Sequence, residues 1–311
     1  MSVLCSGSVA VDSIMVYRGR FMDVILPEKI RMLNVAFHVP ELRKSFGGTA
    51  ANIAFNLRLL GEDPIILATV GNDFAAYGEW MDRHCIRRDG IRVLEDEATA
   101  GAYIITDLDD NQIVGFHAGA MDRAHEAKLA AVDVPFDIGI VSPNGKRAMV
   151  ENARELKKCG VKTVIDPGQG LPLFDGEELV ELMEGASAYT VNDYEWALTL
   201  EKTRLTEAEI AKRVGTAVIT RGEKGSILLR GRDRQEIPAV VPDAVVDPTG
   251  CGDAYRAGFL FGLRRVLPLE TCARLGNLMG SLMVEKQGTQ SLTLNLDVFR
   301  ARFEREFGAS F

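Results

Sequence analysis

A carboxylate set into a glycine-rich turn carries the strongest chemical signal in this chain, in the run Asp247-Pro-Thr-Gly-Cys-Gly-Asp-Ala-Tyr-Arg-Ala-Gly258. Ala254, Ala257, Gly258, Phe261 and Gly262 follow at helical spacing, so the turn is expected to open a helix, after a partly β-like stretch from Pro238 to Val246. At a helix start the first N–H groups lack intrahelical acceptors and the positive end of the dipole points outward, which suits an anion. Gly250 and Gly252 let the backbone approach a ligand with no Cβ in the way, and Asp253 falls in the first helical turn. An Asp in that position commonly serves as a cap or dipole partner, stabilising by roughly 0.5–2 kcal/mol. A cap alone needs no pair of glycines opening an anion site beside it.

Three further segments carry polar groups at useful spacing. Phe46-Gly-Gly-Thr-Ala-Ala-Asn52 leads into a second helix and places Asn52 on the same side as Gly48, where an amide can both donate to and accept from a hydroxylated ligand. Asn192-Asp-Tyr-Glu195 follows an apolar strand-like run; the two outer residues share a helical face and suit Mg2+ held partly through water, although a capping box has the same pattern. Thr220-Arg-Gly-Glu-Lys-Gly225 lies between two β-like runs and reads as a hairpin with nucleotide-binding potential. No GxxxxGK[ST] sequence occurs, and Tyr255 stands where a dinucleotide-binding fingerprint needs its third Gly or Ala, so Walker-type and Rossmann-type nucleotide sites are both excluded.

The elements needed to position these groups alternate along the 311 residues. Strands are expected at Val3–Val11, Ile65–Val70, Asp137–Ser142, Val161–Asp166, Ala188–Val191 and Ala217–Thr220, with helices between them such as Ala50–Leu60 and Arg147–Lys158. Repeated β–α order implies an α/β fold, a doubly wound and mostly parallel sheet with helices on both faces. Two regions break the rhythm: Met15–Pro40 is irregular, and Thr99–Phe116 holds two short β-like runs around Asp109-Asp110-Asn111. One domain spanning 1–311 is expected, with a small β-sheet lid formed by about 14–40 and 98–118. With 47% hydrophobic and 26% charged residues and a formal net charge of -8, the chain does not read as a nucleic-acid binder. Five scattered cysteines without a CxxC pair, a first strand rather than a leader at the N-terminus, and no apolar run long enough to span a bilayer fit a cytoplasmic, membrane-free protein.

Taken together, these motifs resemble the ribokinase (PfkB) family of carbohydrate and nucleoside kinases, in the family's order and over nearly the whole chain. Gly7-Ser-Val-Ala-Val-Asp12 is similar to its substrate-binding segment; Gly47-Gly48 with Asn52, Leu60-Gly61 and Thr69-Val-Gly-Asn-Asp73 to its first motif; Asn192 to Glu195 to its NxxE motif; and Asp247 to Asp253 to its DTxGxGD motif. Departures are Pro248 for the usual Thr, which bears on a monovalent-cation site, and Cys251 for Ala. Gln112-Ile-Val-Gly-Phe-His-Ala-Gly-Ala-Met121, Asp166-Pro-Gly-Gln-Gly170 and the long first lid segment look most like bacterial adenosine kinases.

The resemblance implies an ATP-dependent kinase that transfers the γ-phosphate to the 5′-hydroxyl of a nucleoside, adenosine first. Asp253 would be the base, and the N–H groups of Gly250, Cys251 and Gly252 the anion hole. Asp12, Asn52, Gly47 and Gly48 would hold the sugar, with Phe116 or Phe37 stacking on a purine. Asn192, Thr220, Gly222, Gly225, Asn277 and Gly288 would line the nucleotide, and Glu195 would bind Mg2+ through water. The acting protein would be a monomer or homodimer. Competing readings are a kinase for ribose, fructose or a related sugar, and a non-catalytic nucleotide-binding regulator.

Overall fold

The computed structural model describes residues 2–311. Thirteen strands run in chain order: β1 Ser2–Ser6, β2 Ala10–Val16, β3 Glu41–Gly47, β4 Ile65–Gly71, β5 Ile91–Leu94, β6 Gly101–Thr106, β7 Gln112–His117, β8 Phe136–Val141, β9 Lys162–Ile165, β10 Ala188–Asn192, β11 Ala217–Thr220, β12 Ser226–Arg230 and β13 Asp233–Ile237. The helices are α1 Phe21–Val24, α2 Thr49–Leu59, α3 Ala75–Arg83, α4 Lys146–Lys158, α5 Gly176–Met183, α6 Asp193–Thr203, α7 Glu207–Arg213, α8 Cys251–Arg264, α9 Leu269–Val284 and α10 Leu296–Phe307. Nine strands form the main sheet in the order β13-β12-β11-β10-β9-β8-β1-β4-β5, parallel except for the antiparallel edge of β12 and β13. A separate four-stranded sheet has the order β3-β2-β6-β7. This is the α/β fold with a doubly wound, mostly parallel sheet that the β–α rhythm implies, with the second small sheet expected from the two regions that break it.

Strand periodicity divides the core in two. Val3 and Cys5 pack on one face of the sheet with α2, α3, α8, α9 and α10, while Leu4 between them packs on the other with α4, α5 and α7. Ile66 and Ala68 against Ile65 and Leu67 repeat the pattern on β4. Successive side chains of a strand point to opposite faces, so a strand buried on both sides reads as a continuous apolar run.

That same continuity hides a change of sheet. The expected strand Val3–Val11 is two: β1 ends at Ser6 in the main sheet, and β2 starts at Ala10 in the small one. The link between them is held by Gly7 N–H on the Leu67 carbonyl (3.4 Å) and Ser8 N–H on the Pro143 carbonyl (3.0 Å). The small sheet also extends beyond the segments assigned to it from sequence, because β2 begins at Ala10 and β3, Glu41–Gly47, follows the irregular stretch. The β6–β7 hairpin lies where the acidic turn predicts it. The Pro238–Val246 stretch forms no strand; β13 stops at Ile237, and the chain then crosses extended to α8.

Where β3 feeds α2, Gly48 adopts φ +91 and ψ 138, and a Cβ there would stand 2.5 Å from the Ser8 carbonyl oxygen and 2.6 Å from Val9 Cα. Backbone on both sides cannot yield, so both the dihedral and the space demand glycine. Gly160 shares a positive φ of +70 and has open space around it. We expect Gly160→Ala to cost about 1 kcal/mol, the backbone term alone, and Gly48→Ala at least about twice that, read from urea denaturation midpoints.

Candidate active site

The start of α8 and the start of α2 meet, and their two best polar groups are bonded to each other. Asn52 Nδ2 donates to Asp253 Oδ2 at 2.8 Å, joining residues 201 positions apart. Both helices begin after a glycine of positive φ, Gly48 and Gly250 (φ +81). Their N-termini are finished differently. The first N–H groups of α2 are taken by Ser8: Thr49 N–H bonds its Oγ (3.0 Å) and Ala50 N–H its carbonyl (3.1 Å). At α8 no side chain caps the helix. Cys251 N–H reaches the Pro248 carbonyl at 3.2 Å, but among the described residues no acceptor meets the N–H of Gly250, Gly252 or Asp253. Free donors and the helix dipole therefore converge beside Asp253 at α8, which suits that end to an anion. Of the three N–H groups expected there, that of Cys251 is already committed to the turn.

Asp253 is partly open to solvent on one side and enclosed by protein on the others. Burial pushes its carboxyl up to about 7, opposed by the Asn52 bond and the Arg256 charge and reinforced by Asp166. A carboxyl near 7 sits at the operating point of a general base. No donor meets its Oδ1 among the described residues, so that oxygen is the free acceptor.

Behind it lies an ion pair that sequence reasoning passed over. Arg256 and Asp166 are both buried, 7% and 1% exposed, and bidentate: Arg256 Nη2 donates to Asp166 Oδ1 at 2.8 Å while Nε contacts Oδ2. Arg256 Nη1 donates to the Gly252 carbonyl at 3.0 Å, fixing the turn that carries the free donors. Burial opposes the Arg256 charge, and the Asp166 carboxylate overcomes it, so the guanidinium stays cationic beside the anion site. Arg256 lies within the Asp247–Gly258 run and Asp166 opens Asp166–Gly170, but neither carries a signal that the other is its partner.

Asp12, on β2, sits beside Gly47: a Cβ on that glycine would stand 3.3 Å from Asp12 Oδ2. Burial raises the Asp12 carboxyl, and the Ala102 N–H works against that rise. Thr289 spans both glycine turns, donating to the Phe46 carbonyl (3.1 Å) and packing where a Gly250 Cβ would be. Asp12, Gly47, Gly48, Asn52, Gly250, Cys251, Gly252 and Asp253 thus form one neighbourhood. Asn52 spends one N–H on Asp253 and accepts from Gln290 Nε2 (2.9 Å), so a single N–H and one lone pair remain for a ligand. Phe116 projects from β7, a strand exposed along its whole length, and is itself 58% exposed. Phe37 instead packs edge-on against Tyr17 and Phe21, each with ring centroids 5.0 Å away.

The expected nucleotide residues fall into two groups. Asn192 and Thr220 are register partners at the ends of β10 and β11. Gly225 is seated against Ile237–Ala239, and Asn277 Nδ2 donates to the Pro238 carbonyl in the same place (2.9 Å), so these two residues meet one stretch of backbone. Gly288 belongs to the other group: its N–H donates to Asp247 Oδ2 (2.9 Å), while Thr249 N–H takes Oδ1 (2.9 Å). Asn192 and Glu195 form a reciprocal capping box, Glu195 N–H to Asn192 Oδ1 (2.7 Å) and Asn192 N–H to Glu195 Oε2 (2.8 Å). Burial raises Glu195, as does Asp166. Among the described residues no group of three or more His, Cys, Asp or Glu side chains could hold a metal. A Mg2+ carried by nucleotide phosphates and met by the Glu195 carboxylate through water is compatible with this donor set.

The pfkB family carbohydrate kinase model matches residues 8–295. The chain belongs to that family. It is therefore a phosphotransferase with an alcohol group as acceptor. It is 31% identical over 306 residues to a nucleoside kinase of Methanocaldococcus jannaschii, covering 97% of each chain. Among solved structures it is similar to Burkholderia thailandensis nucleoside kinase in complex with inosine (42% identity, 99% of each chain, TM-score 0.87). The adenosine kinase of Sinorhizobium meliloti is a further match (25% identity, 96% and 99% coverage, TM-score 0.76).

Replacing Asp253 with Asn keeps the shape and removes the carboxylate that could act as a base. We expect kcat to fall about 10²–10⁴-fold and the acidic limb of the kcat/KM profile, centred near 7 in the parent, to disappear. The stability effect has the opposite sign. A carboxyl whose folded pKa is raised binds its proton more tightly when folded, so the parent loses stability as pH rises from its unfolded value through about 7. The Tm advantage of Asp253→Asn should therefore grow between about pH 5 and about pH 8.

Proposed function

We propose that the chain is an ATP-dependent nucleoside kinase that phosphorylates the 5′-hydroxyl of a purine nucleoside, adenosine foremost. The observation that carries this reading is Asp253: an enclosed carboxyl with one oxygen held by Asn52 and the other free, at a glycine-flanked helix start where the Gly250 and Gly252 N–H groups meet no acceptor among the described residues. Asp253 Oδ1 accepts the acceptor's hydroxyl proton as the new O–P bond forms and the bond between the γ-phosphorus and the β-γ bridging oxygen breaks, releasing ADP. The free N–H groups at Gly250 and Gly252, with the Arg256 charge behind them, stabilise the transferring phosphoryl. Asp12 and the remaining N–H of Asn52 orient the ribose. Glu195 would hold, through water, a Mg2+ arriving with ATP, and that ion would supply neutralisation of phosphate charge. The nucleoside reading is supported by the nucleoside kinases among the relatives, and the purine preference by the relative solved with inosine and by the adenosine kinase.

ADP release from MgATP, measured with adenosine, inosine, guanosine, cytidine, ribose and fructose and with no acceptor, tests this directly. Turnover with adenosine well above that with the free sugars is expected; turnover confined to ribose or fructose would overturn the nucleoside assignment and keep the phosphoryl-transfer one. Phe116 is an open aromatic of the small sheet, and stacking on a base is worth about 0.5–1.5 kcal/mol. Phe116→Ala should accordingly raise KM for the nucleoside by roughly twofold to tenfold with little change in KM for ATP.

A further inference from the structure

Gln290 lies in the loop between α9 and α10, outside every motif of the sequence, and its amide closes a hydrogen-bond relay that ends on the base. Its Nε2 donates to Asn52 Oδ1 (2.9 Å) and to the Tyr77 hydroxyl (2.7 Å). Tyr77 in turn donates to the Gly47 carbonyl (2.8 Å), where β3 of the small sheet ends, and its ring stacks on Phe46 at 4.3 Å. Asn52 passes the relay to Asp253 through Nδ2. Every donor in this chain has one direction. Gln290 spends both N–H bonds, so reversing its amide would set Oε1 against Asn52 Oδ1; with Asn52 Oδ1 occupied, only Nδ2 can face the carboxylate. Gln290 Oε1 is meanwhile buried with no partner among the described residues. A side chain that leaves one buried acceptor unmet is poorly explained by packing and well explained by what its other end does.

We propose that Gln290 is a positioning residue for phosphoryl transfer: by fixing the orientation of the Asn52 amide it commits Asp253 Oδ2 to Asn52 and leaves Oδ1 to take the acceptor's proton. The inference rests on Asp253 being the base. The other charged groups that bear on Asp253 are Arg256, on its own helix, and Asp166, after β9; the Cys251 thiol lies beside it on the turn, and Asp12 acts on the relay through Tyr77. None of these contacts Gln290 by hydrogen bond.

The test is the pH dependence of kcat and kcat/KM for Gln290→Met, which keeps the bulk and removes the donors, with MgATP and the best acceptor of the panel. Losing a directed bond to a charged group should lower kcat about tenfold. It should also move the acidic limb up by roughly one pH unit. A residue acting through Asn52 has nothing further to lose once Asn52 is gone, so in an Asn52→Ala background Gln290→Met should change kcat by less than about twofold. An unmoved limb, or the full tenfold loss repeated on Asn52→Ala, would overturn the proposal. If Gln290→Met does not fold, Gln290→Glu takes its place. Its carboxylate accepts from Asn52 and turns the amide around, so the limb should move at least as far, and an unmoved limb again refutes the relay. Asp253→Asn measured alongside separates the two claims: a limb that survives there removes the base assignment, whereas one that vanishes there but ignores Gln290 removes only this inference.

Discussion

The hydrogen bond between Asn52 and Asp253 constrains the whole architecture. It must join two helix starts from opposite ends of the chain within 2.8 Å. That demands close packing of α2 on α8, a glycine turn before each, and a shared sheet face beneath them whose apolar side chains are fixed by strand alternation. Enclosing the carboxylate raises its pKa; one amide donor and one buried guanidinium limit the rise, while the second carboxylate, Asp166, holds that guanidinium in place and itself adds to the rise. Removing any one of these leaves the others incompletely matched, as is general for buried polar networks.

The two helix starts also illustrate how equal geometry acquires unequal chemistry. Each follows a positive-φ glycine and each has a positive dipole end. Ser8, delivered by the chain as it leaves β1 for β2, takes the N–H groups of α2 and makes it a structural joint. Nothing equivalent reaches α8, so its donors remain for a ligand.

How much of this was legible in the sequence follows from the range of each interaction. Glycines, the Asp253 carboxylate and the β–α rhythm act locally and are written locally; the helix boundaries of α2 and α4 and the β6–β7 hairpin fall close to where periodicity puts them. Partners brought together by folding were not legible. Arg256 pairs with a residue 90 positions away, and Gln290 with residues 238 and 213 positions away. An apolar run does not mark where the chain leaves one sheet for another, which is why Val3–Val11 reads as a single strand. The Asn192–Glu195 spacing serves a capping box and an outer-sphere metal contact alike, and the structure shows the box fully formed.

The small sheet is built from two separate excursions of the chain, β2 with β3 and β6 with β7, joined side by side through the parallel pairing of β2 and β6. Its edge strand β7 is exposed at every position and pairs within the sheet with β6. Mutations there are nearly free of packing consequences, whereas those around α8 disturb a closed polar network. Natural variation should therefore accumulate on the outer strand and be purged at the helix start. One inherited transfer apparatus is thereby left open to successive acceptors through drift in a few surface side chains.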